Sequence, residues 1–323
     1  MENIKEFMKM AKSEIVSYLP DSLVRNLTVE DNSVVKMNDQ ILYGLTMRQH
    51  DQDQAPTIYM NDIYERYMNG ESLKALMAET VHEYLGVIAF PPPEITNMDL
   101  AFDNIKDNLT LKIVEIKRNH EYLSEVPYIK MGNGFAAVCD IKLEDGDNGQ
   151  LRTTVTKGMM EEMEYDMNEL FSTAFESSQI NAPAVMSSIR SQLLFEDGSN
   201  LLDGHNVISE EEKDNMYVVS NKECLYGAVA LFYPGVQEKI AERLGENYYV
   251  LPSSVNELLI MPESNAPDIK DIASMVYEAN EHLLEPKDVL SNNILYYDKD
   301  TKVLETIKSE MIRGIDSPEV FRS

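Results

Sequence analysis

The chain of 323 residues carries 56 acidic and 28 basic side chains, a formal net charge of −28. At roughly 100–200 residues per domain that length suggests two domains or one large elaborated one. Hydrophobic residues make up 43% and aromatics 8%, too apolar a composition for disorder, and the sequence holds no run of about 18 apolar residues that could cross a membrane.

The acid excess implies long-range repulsion from nucleic-acid phosphates and anionic lipid headgroups, so neither nucleic acid nor membrane is expected as a direct partner. Met1–Met8 is charged and has no apolar signal core, which sets a cytoplasmic expectation. Cys139 and Cys224 cannot form a disulfide scaffold or a cysteine-built zinc site. Both are expected to be buried structural thiols rather than nucleophiles.

In chain order, Ile4, Phe7, Met8, Ala11, Ile15 and Tyr18 recur at helical spacing and Pro20 stops that helix. β-like runs follow at Arg25–Glu30 and Ile41–Met47, with turns expected at Asp31–Ser33 and Asn38–Gln40. Pro56–Met60 reads as extended, and helices are expected from Asn61 to Tyr67 and from Ser72 to Gly86. Phe90-Pro-Pro-Pro-Glu94 is too stiff for a helix interior or a central strand. It is the expected linker between an N-terminal α/β subdomain, residues 1–90, and a larger α+β domain, residues 95–323.

Beyond the linker, Phe135–Leu143 and Leu151–Lys157 read as strands of a hairpin. A helix is expected from Met167 to about Ser178, and another from Pro183, as first-turn residue, to about Leu194. Met216–Ser220, Tyr226–Phe232, Tyr248–Leu251 and Val255–Met261 read as strands. Helices are expected over Val236–Leu244 and Asp268–Leu283.

The helices near 72, 167 and 268 share apolar positions at i, i+3, i+4, i+7 and i+8, and each follows a pair of strands. An amphipathic helix packed on a sheet produces that stripe with or without a common repeat. The expected fold class is α+β, antiparallel strand pairs each followed by an amphipathic helix, a pattern met three times. Leu76, Met77, Leu170, Phe171, Ile272 and Val276 are its expected core.

The chemical motifs mostly fail on spacing. Gly132-Asn-Gly134 lacks the Gly-Lys-Ser/Thr of a phosphate loop, and four residues after His82 comes Gly86, which cannot be a second metal ligand. His82 is expected to face solvent. Asp145-Gly-Asp147-Asn-Gly149 opens like a calcium loop, but the position for the bidentate carboxylate is Thr156. No cofactor and no metal are therefore expected.

The string Tyr249-Val-Leu-Pro-Ser-Ser-Val-Asn-Glu between two strands gives the candidate partner-binding residues Ser253, Ser254, Asn256 and Glu257. Ser253, Ser254 and Glu257 would serve the alternative, a hydrolase of unrecognised type, although a serine nucleophile needs a base nearby. A Pro-Ser-Ser turn whose hydroxyls satisfy strand-end amides explains the string without chemistry.

Asp53-Gln-Ala-Pro-Thr-Ile-Tyr-Met-Asn-Asp-Ile-Tyr, Tyr226-Gly-Ala, Tyr233-Pro-Gly, Leu251-Pro-Ser-Ser-Val-Asn-Glu and Leu290-Ser-Asn-Asn-Ile-Leu-Tyr-Tyr, in that order, resemble the bacterial domain of unknown function 5688. The resemblance spans about residues 40–300 and implies a bacterial, mobile-element or anti-defence setting. It supplies no activity and no site residues. Where the family pattern suggests Ile-His-Glu, this chain has Val255-Asn256-Glu257, which removes the one histidine that could serve a serine. The expected function is a non-catalytic acidic binding or regulatory protein whose partner is another protein with a basic surface.

Overall fold

The computed structural model describes residues 3–50, 55–89, 101–146, 149–162, 164–194, 200–209, 211, 213–252 and 254–307. The chain divides into two compact units, residues 1–99 and 100–323. The proline segment 90–94 lies outside the described residues.

In the first unit, α1 (Ile4–Ile15) opens on a capping box in which Asn3 and Glu6 satisfy each other's amides, and it buries Phe7, Met8, Ala11 and Ile15. A short α2 (Asp21–Val24) leads into β1 (Leu27–Lys36), β2 (Gln40–Gln49) and β3 (Thr57–Tyr59), an antiparallel sheet in that order. The turn expected at Asp31–Ser33 is instead paired strand, opposite Leu45, Gly44 and Tyr43. The Asn32 amide donates to Thr46 Oγ1 at 2.7 Å, so its polar side chain is used within the ladder. The reversal comes at Met37–Asp39, where Asn38 and Asp39 take φ values of 60° and 51°, a conformation that Asn and Asp tolerate. Helices α3 (Asn61–Met68) and α4 (Leu73–Ala89) complete the unit. Leu76, Met77, Val81 and Tyr84 of α4 join Phe7, Leu45 and Met47 in one core.

The second unit begins with α5 (Phe102–Ile105), β4 (Leu109–Glu115), α6 (His120–Glu125), β5 (Tyr128–Gly132), β6 (Phe135–Gly146) and β7 (Gly149–Thr154). Strand β4 pairs along one edge of β6, while β5 and β7 share the other. The expected hairpin closes with Gly146 opposite Gly149; Asp147 and Asn148 lie outside the described residues. After α7 (Lys157–Glu162) and α8 (Met167–Asn181) come β8 (Ala184–Ser188), α9 (Ile189–Leu193), β9 (Tyr217–Asn221), α10 (Val236–Leu244), β10 (Tyr248–Leu251), β11 (Leu258–Pro262), α11 (Ile269–His282), β12 (Leu295–Asp298) and β13 (Val303–Thr306). These strands form a six-stranded antiparallel sheet in the order β13-β12-β10-β11-β9-β8.

The fold is α+β with antiparallel pairing in all three sheets. Helices α4, α8 and α11 follow the pairs β2–β3, β6–β7 and β10–β11. Leu76, Met77, Leu170, Phe171, Ile272 and Val276 are all buried, none more than 3% exposed.

Two expected elements differ. The helix expected from Pro183 is a strand over Ala184–Ser188, because these residues complete the sheet edge against β9 with Ala184 opposite Asn221 and Ser188 opposite Tyr217. Only Ile189–Leu193 is helical, capped by Ser188. Tyr226–Phe232 is a buried 3-10 helix over Gly227–Phe232, not a strand. Tyr226 enters it with φ of 51°, which no strand accommodates.

Candidate functional site

Ser254 sits just before β11, 6% exposed, in an isolated antiparallel bridge to Val289. Its Oγ accepts the Asn256 amide at 3.0 Å, a short side-chain turn of the kind expected from Pro-Ser-Ser. Asn256 then reaches in two directions: its Oδ1 accepts the Tyr226 amide at 3.0 Å, and its carbonyl accepts Ser220 Oγ at 2.7 Å. Ser253 lies outside the described residues. Glu257 is exposed by surface area, yet packing beside it raises its carboxyl above the ordinary value through desolvation.

Asn256 is thereby a latch on the loop Asn221–Gly227. The loop is also tied at its start, where the Asn221 side chain donates to the Leu225 carbonyl at 2.9 Å. Gly227 seals it: a Cβ there would stand 2.0 Å from Ser220 Oγ, 2.5 Å from the Asn256 carbonyl oxygen and 2.6 Å from the Asn221 nitrogen, so only glycine fits. Cys224, on this loop with φ of 53°, is exposed rather than buried as expected, whereas Cys139 is buried.

The latched loop delivers Glu223 and Tyr226 to the polar face of β4-β6-β7. Leu109, Leu111 and Ile113 face the hydrophobic core, so the strand alternation sends Thr110 and Lys112 to the other face. Thr110, Asp140 and Thr154 lie side by side across three strands, and Lys142 lies opposite Arg152. Lys112 Nζ donates to Asp140 at 2.7 and 2.9 Å and to Thr154 Oγ1 at 2.9 Å. The two side chains are 5% and 4% exposed. The ammonium lies 5.1 Å from the Tyr226 ring centre and 5.8 Å from that of Tyr122, a cation–π arrangement.

Burial is the largest single influence on Lys112 and opposes its charge, but the Asp140 carboxylate, Tyr122 and Tyr226 together outweigh it and hold the amine above its ordinary value. Burial, reinforced by Asp140, raises the Cys139 thiol, and burial raises the Tyr226 hydroxyl. Next to this pair, Glu223 accepts from Lys142 at 2.8 Å and from Arg152, whose other nitrogen donates to Thr110 Oγ1 at 2.7 Å. A cleft of about 450 Å³ opens beside them, lined by Asp107, Thr110, Lys142, Asn181 and Glu223 among others.

The Ser-Asn-Asn string anchors a different contact. Ser291 Oγ and the Asn293 amide both donate to Glu115 Oε1, at 2.8 and 2.7 Å, and so hold a buried carboxylate at the end of β4.

The structure thus joins Ser254 and Asn256 in one hydrogen-bonded turn and connects them through the loop to Lys112, Asp140, Arg152 and Glu223, residues that sequence reasoning missed. The available signal was the alternation of Leu109-Thr-Leu-Lys-Ile-Val-Glu, in which Lys112 reads as solvent-facing. Among the described residues, no three His, Cys, Asp or Glu side chains converge to hold a metal ion, and no helix is long and apolar enough to cross a membrane. His82 faces solvent on α4.

Comparison with curated proteins and with solved structures gives no match. The family of unknown function DUF5688 matches residues 4–299, nearly the whole of both units, and the chain belongs to that family.

Proposed function

We propose that this protein works by binding a partner with a basic surface, without turning over a substrate. The observation that carries this reading is how the charges are used. The basic side chains of the candidate site are committed to internal carboxylates, Lys112 to Asp140 and both Lys142 and Arg152 to Glu223. Outside it, Lys12, Arg66, Lys106 and Lys287 also pair with carboxylates. The surplus behind the net charge of −28 is thus left to set the surface field, which attracts a basic protein and steers its approach.

The titration directions agree. Lys112, Cys139 and Tyr226 are all shifted upward, away from neutral pH, whereas acid–base catalysis works best with groups poised near the operating pH. The alternative, a hydrolase at Ser253, Ser254 and Glu257, is favoured only by the raised carboxyl of Glu257. The Ser254 hydroxyl is buried and engaged by the Asn256 amide. The setting we attach to the binding role, a bacterial cytoplasm and a mobile-element or anti-defence context, comes from the family resemblance.

The test is capture from native lysate on the immobilised chain at low and high salt, beside a hydrolase screen of wild type and the Ser253→Ala, Ser254→Ala double variant. Retention of a basic protein at low salt, released at high salt, with both forms inert in the screen, is the expected result. A hydrolytic activity that the double variant abolishes would overturn it.

A further inference from the structure

Strand β1 (Leu27–Lys36) is the outer strand of the first unit's sheet, which runs β1-β2-β3. The ladder fixes which way its backbone points. On β2, the Met47 amide donates to the Pro56 carbonyl and the Tyr43 carbonyl accepts from the Met60 amide. Odd-numbered residues of β2 thus turn toward β3 and even-numbered ones toward β1. The register sets Thr28 opposite Arg48, Glu30 opposite Thr46 and Asn32 opposite Gly44. Even residues of β1 therefore bond to β2, and the N–H and C=O groups of Val29, Asp31, Ser33 and Val35 point away from it. Among the described residues no other strand pairs with β1, and Glu30–Val34 are all exposed.

An open edge is a template for another strand, and natural sheets blunt it with proline, a bulge or a short length. β1 has 10 residues, no proline and an unbroken register from Leu27 to Lys36. Its charges say what fits. A second copy can lie antiparallel along this edge only with odd residues against odd. With Ser33 opposite Ser33, Glu30 of each copy falls opposite Lys36 of the other, in the pairs whose side chains stand closest. Neighbouring registers set Asp31 against Asp31, or leave Lys36 opposite Thr28 or Asn32.

An independent observation is a cleft of about 280 Å³ beside the start of the strand, lined by Val16, Leu19, Val24, Leu27 and Val29 among others. Val16 and Val24 are 37% and 38% exposed, although apolar. Leu27 and Val29 also pack against the core of this unit, so the cleft lies on the helix-bearing face of the sheet. In the register that matches the charges, Met37 of the second copy falls opposite Val29 and on that same face. Methionine is flexible enough to fill such a space.

We propose that β1 pairs antiparallel with β1 of a second copy of this chain, centred on Ser33, and joins the two sheets into one. Asp31 and Val35 exchange backbone hydrogen bonds across the seam, Glu30 and Lys36 form an ion pair on each side of it, and Met37 of each copy covers the cleft of the other. Asp31 is no obstacle, because Lys12 of its own chain already pairs with it. The same patch serves both copies, so the contact closes on itself as a two-fold dimer instead of growing into a filament.

The experiment is sedimentation equilibrium of the full chain at physiological salt, for wild type, Ser33→Pro, Glu30→Lys and the double variant Glu30→Lys, Lys36→Glu. Wild type is expected at twice the chain mass. The Ser33 amide faces away from β2, so proline there removes no bond within the chain, and Ser33→Pro is expected to be a folded monomer by circular dichroism. Glu30→Lys sets like charges against each other on both sides of the two-fold axis and is expected to weaken the dimer at least tenfold. The double variant reverses both partners and is expected to return to within about threefold of wild type. It keeps the proposal falsifiable if Ser33→Pro fails to fold. A wild-type chain that stays monomeric at about 100 μM, in the weak range of association, would overturn the proposal. So would a folded Ser33→Pro that dimerises as tightly as wild type, or a double variant no tighter than Glu30→Lys.

Discussion

Asn256 Oδ1 accepts the backbone amide of Tyr226 at 3.0 Å, and through that bond the turn before β11 fixes where the Tyr226 ring meets the Lys112 ammonium. The latch is central to the second unit because Tyr226 sits in a left-handed conformation that a non-glycine residue holds only when its surroundings impose it.

Replacing Asn256 by Ala removes that acceptor and leaves the Tyr226 amide without it. The expected loss is about 1–3 kcal/mol of unfolding free energy, read by chemical denaturation. Asn256→Asp retains an acceptor oxygen and is expected to lose less. Equal losses in the two variants would show that the hydrogen bond is not what Asn256 contributes.

Gly227→Ala should be far more damaging than an ordinary surface change, because the new methyl meets the Asn256 carbonyl oxygen and the Asn221 nitrogen as well as the Ser220 hydroxyl. Adding Ser220→Ala relieves only the side-chain clash, so the double variant is expected to remain poorly folded by circular dichroism and soluble yield. Full rescue would mean the backbone can move away.

Lys112→Met strands the Asp140 carboxylate in a buried setting, and the expected cost is about 3–5 kcal/mol. The Lys112→Met, Asp140→Leu double variant removes both charges and is expected to recover most of it. A double-mutant cycle in denaturant measures the coupling. Additive losses would contradict a direct ion pair.

Glu257 gives a pH signature. Its folded-state pKa is raised by desolvation, so the folded protein favours the protonated carboxyl and ionisation costs stability. The penalty is absent below the unfolded glutamate value of about 4.3 and complete once pH passes the folded value. Glu257→Gln is therefore expected to melt higher than wild type at neutral pH, with the gap closing as pH falls toward 4. A gap that widens on acidification would reverse the assignment.

The periodic parts of this fold were legible in the sequence. The stripes of α4, α8 and α11 located Leu76, Phe171 and Ile272 in the core, because an amphipathic helix carries its burial in its own spacing. What failed depended on distant partners. Ala184–Ser188 is a strand because β9 is there to pair with it, and Pro183 read locally as a helix start. Gly227–Phe232 is apolar and short, and periodicity alone does not separate a buried helix from a buried strand. Lys112 could not be read as half of a buried pair because Asp140 lies 28 positions and Thr154 42 positions away. Asn256 and Ser254 were legible as unusual but not as a latch, since the group they hold comes from another loop.

The most direct test of the binding role is the affinity of the retained protein measured across ionic strength. Exposed charges act over about 10 Å at 0.1 M salt and about 3 Å at 1 M. An acidic surface holding a basic partner predicts that Kd rises by at least tenfold from about 0.05 M to about 0.5 M salt, mostly through a slower association rate. An affinity that stays constant across that range would contradict it.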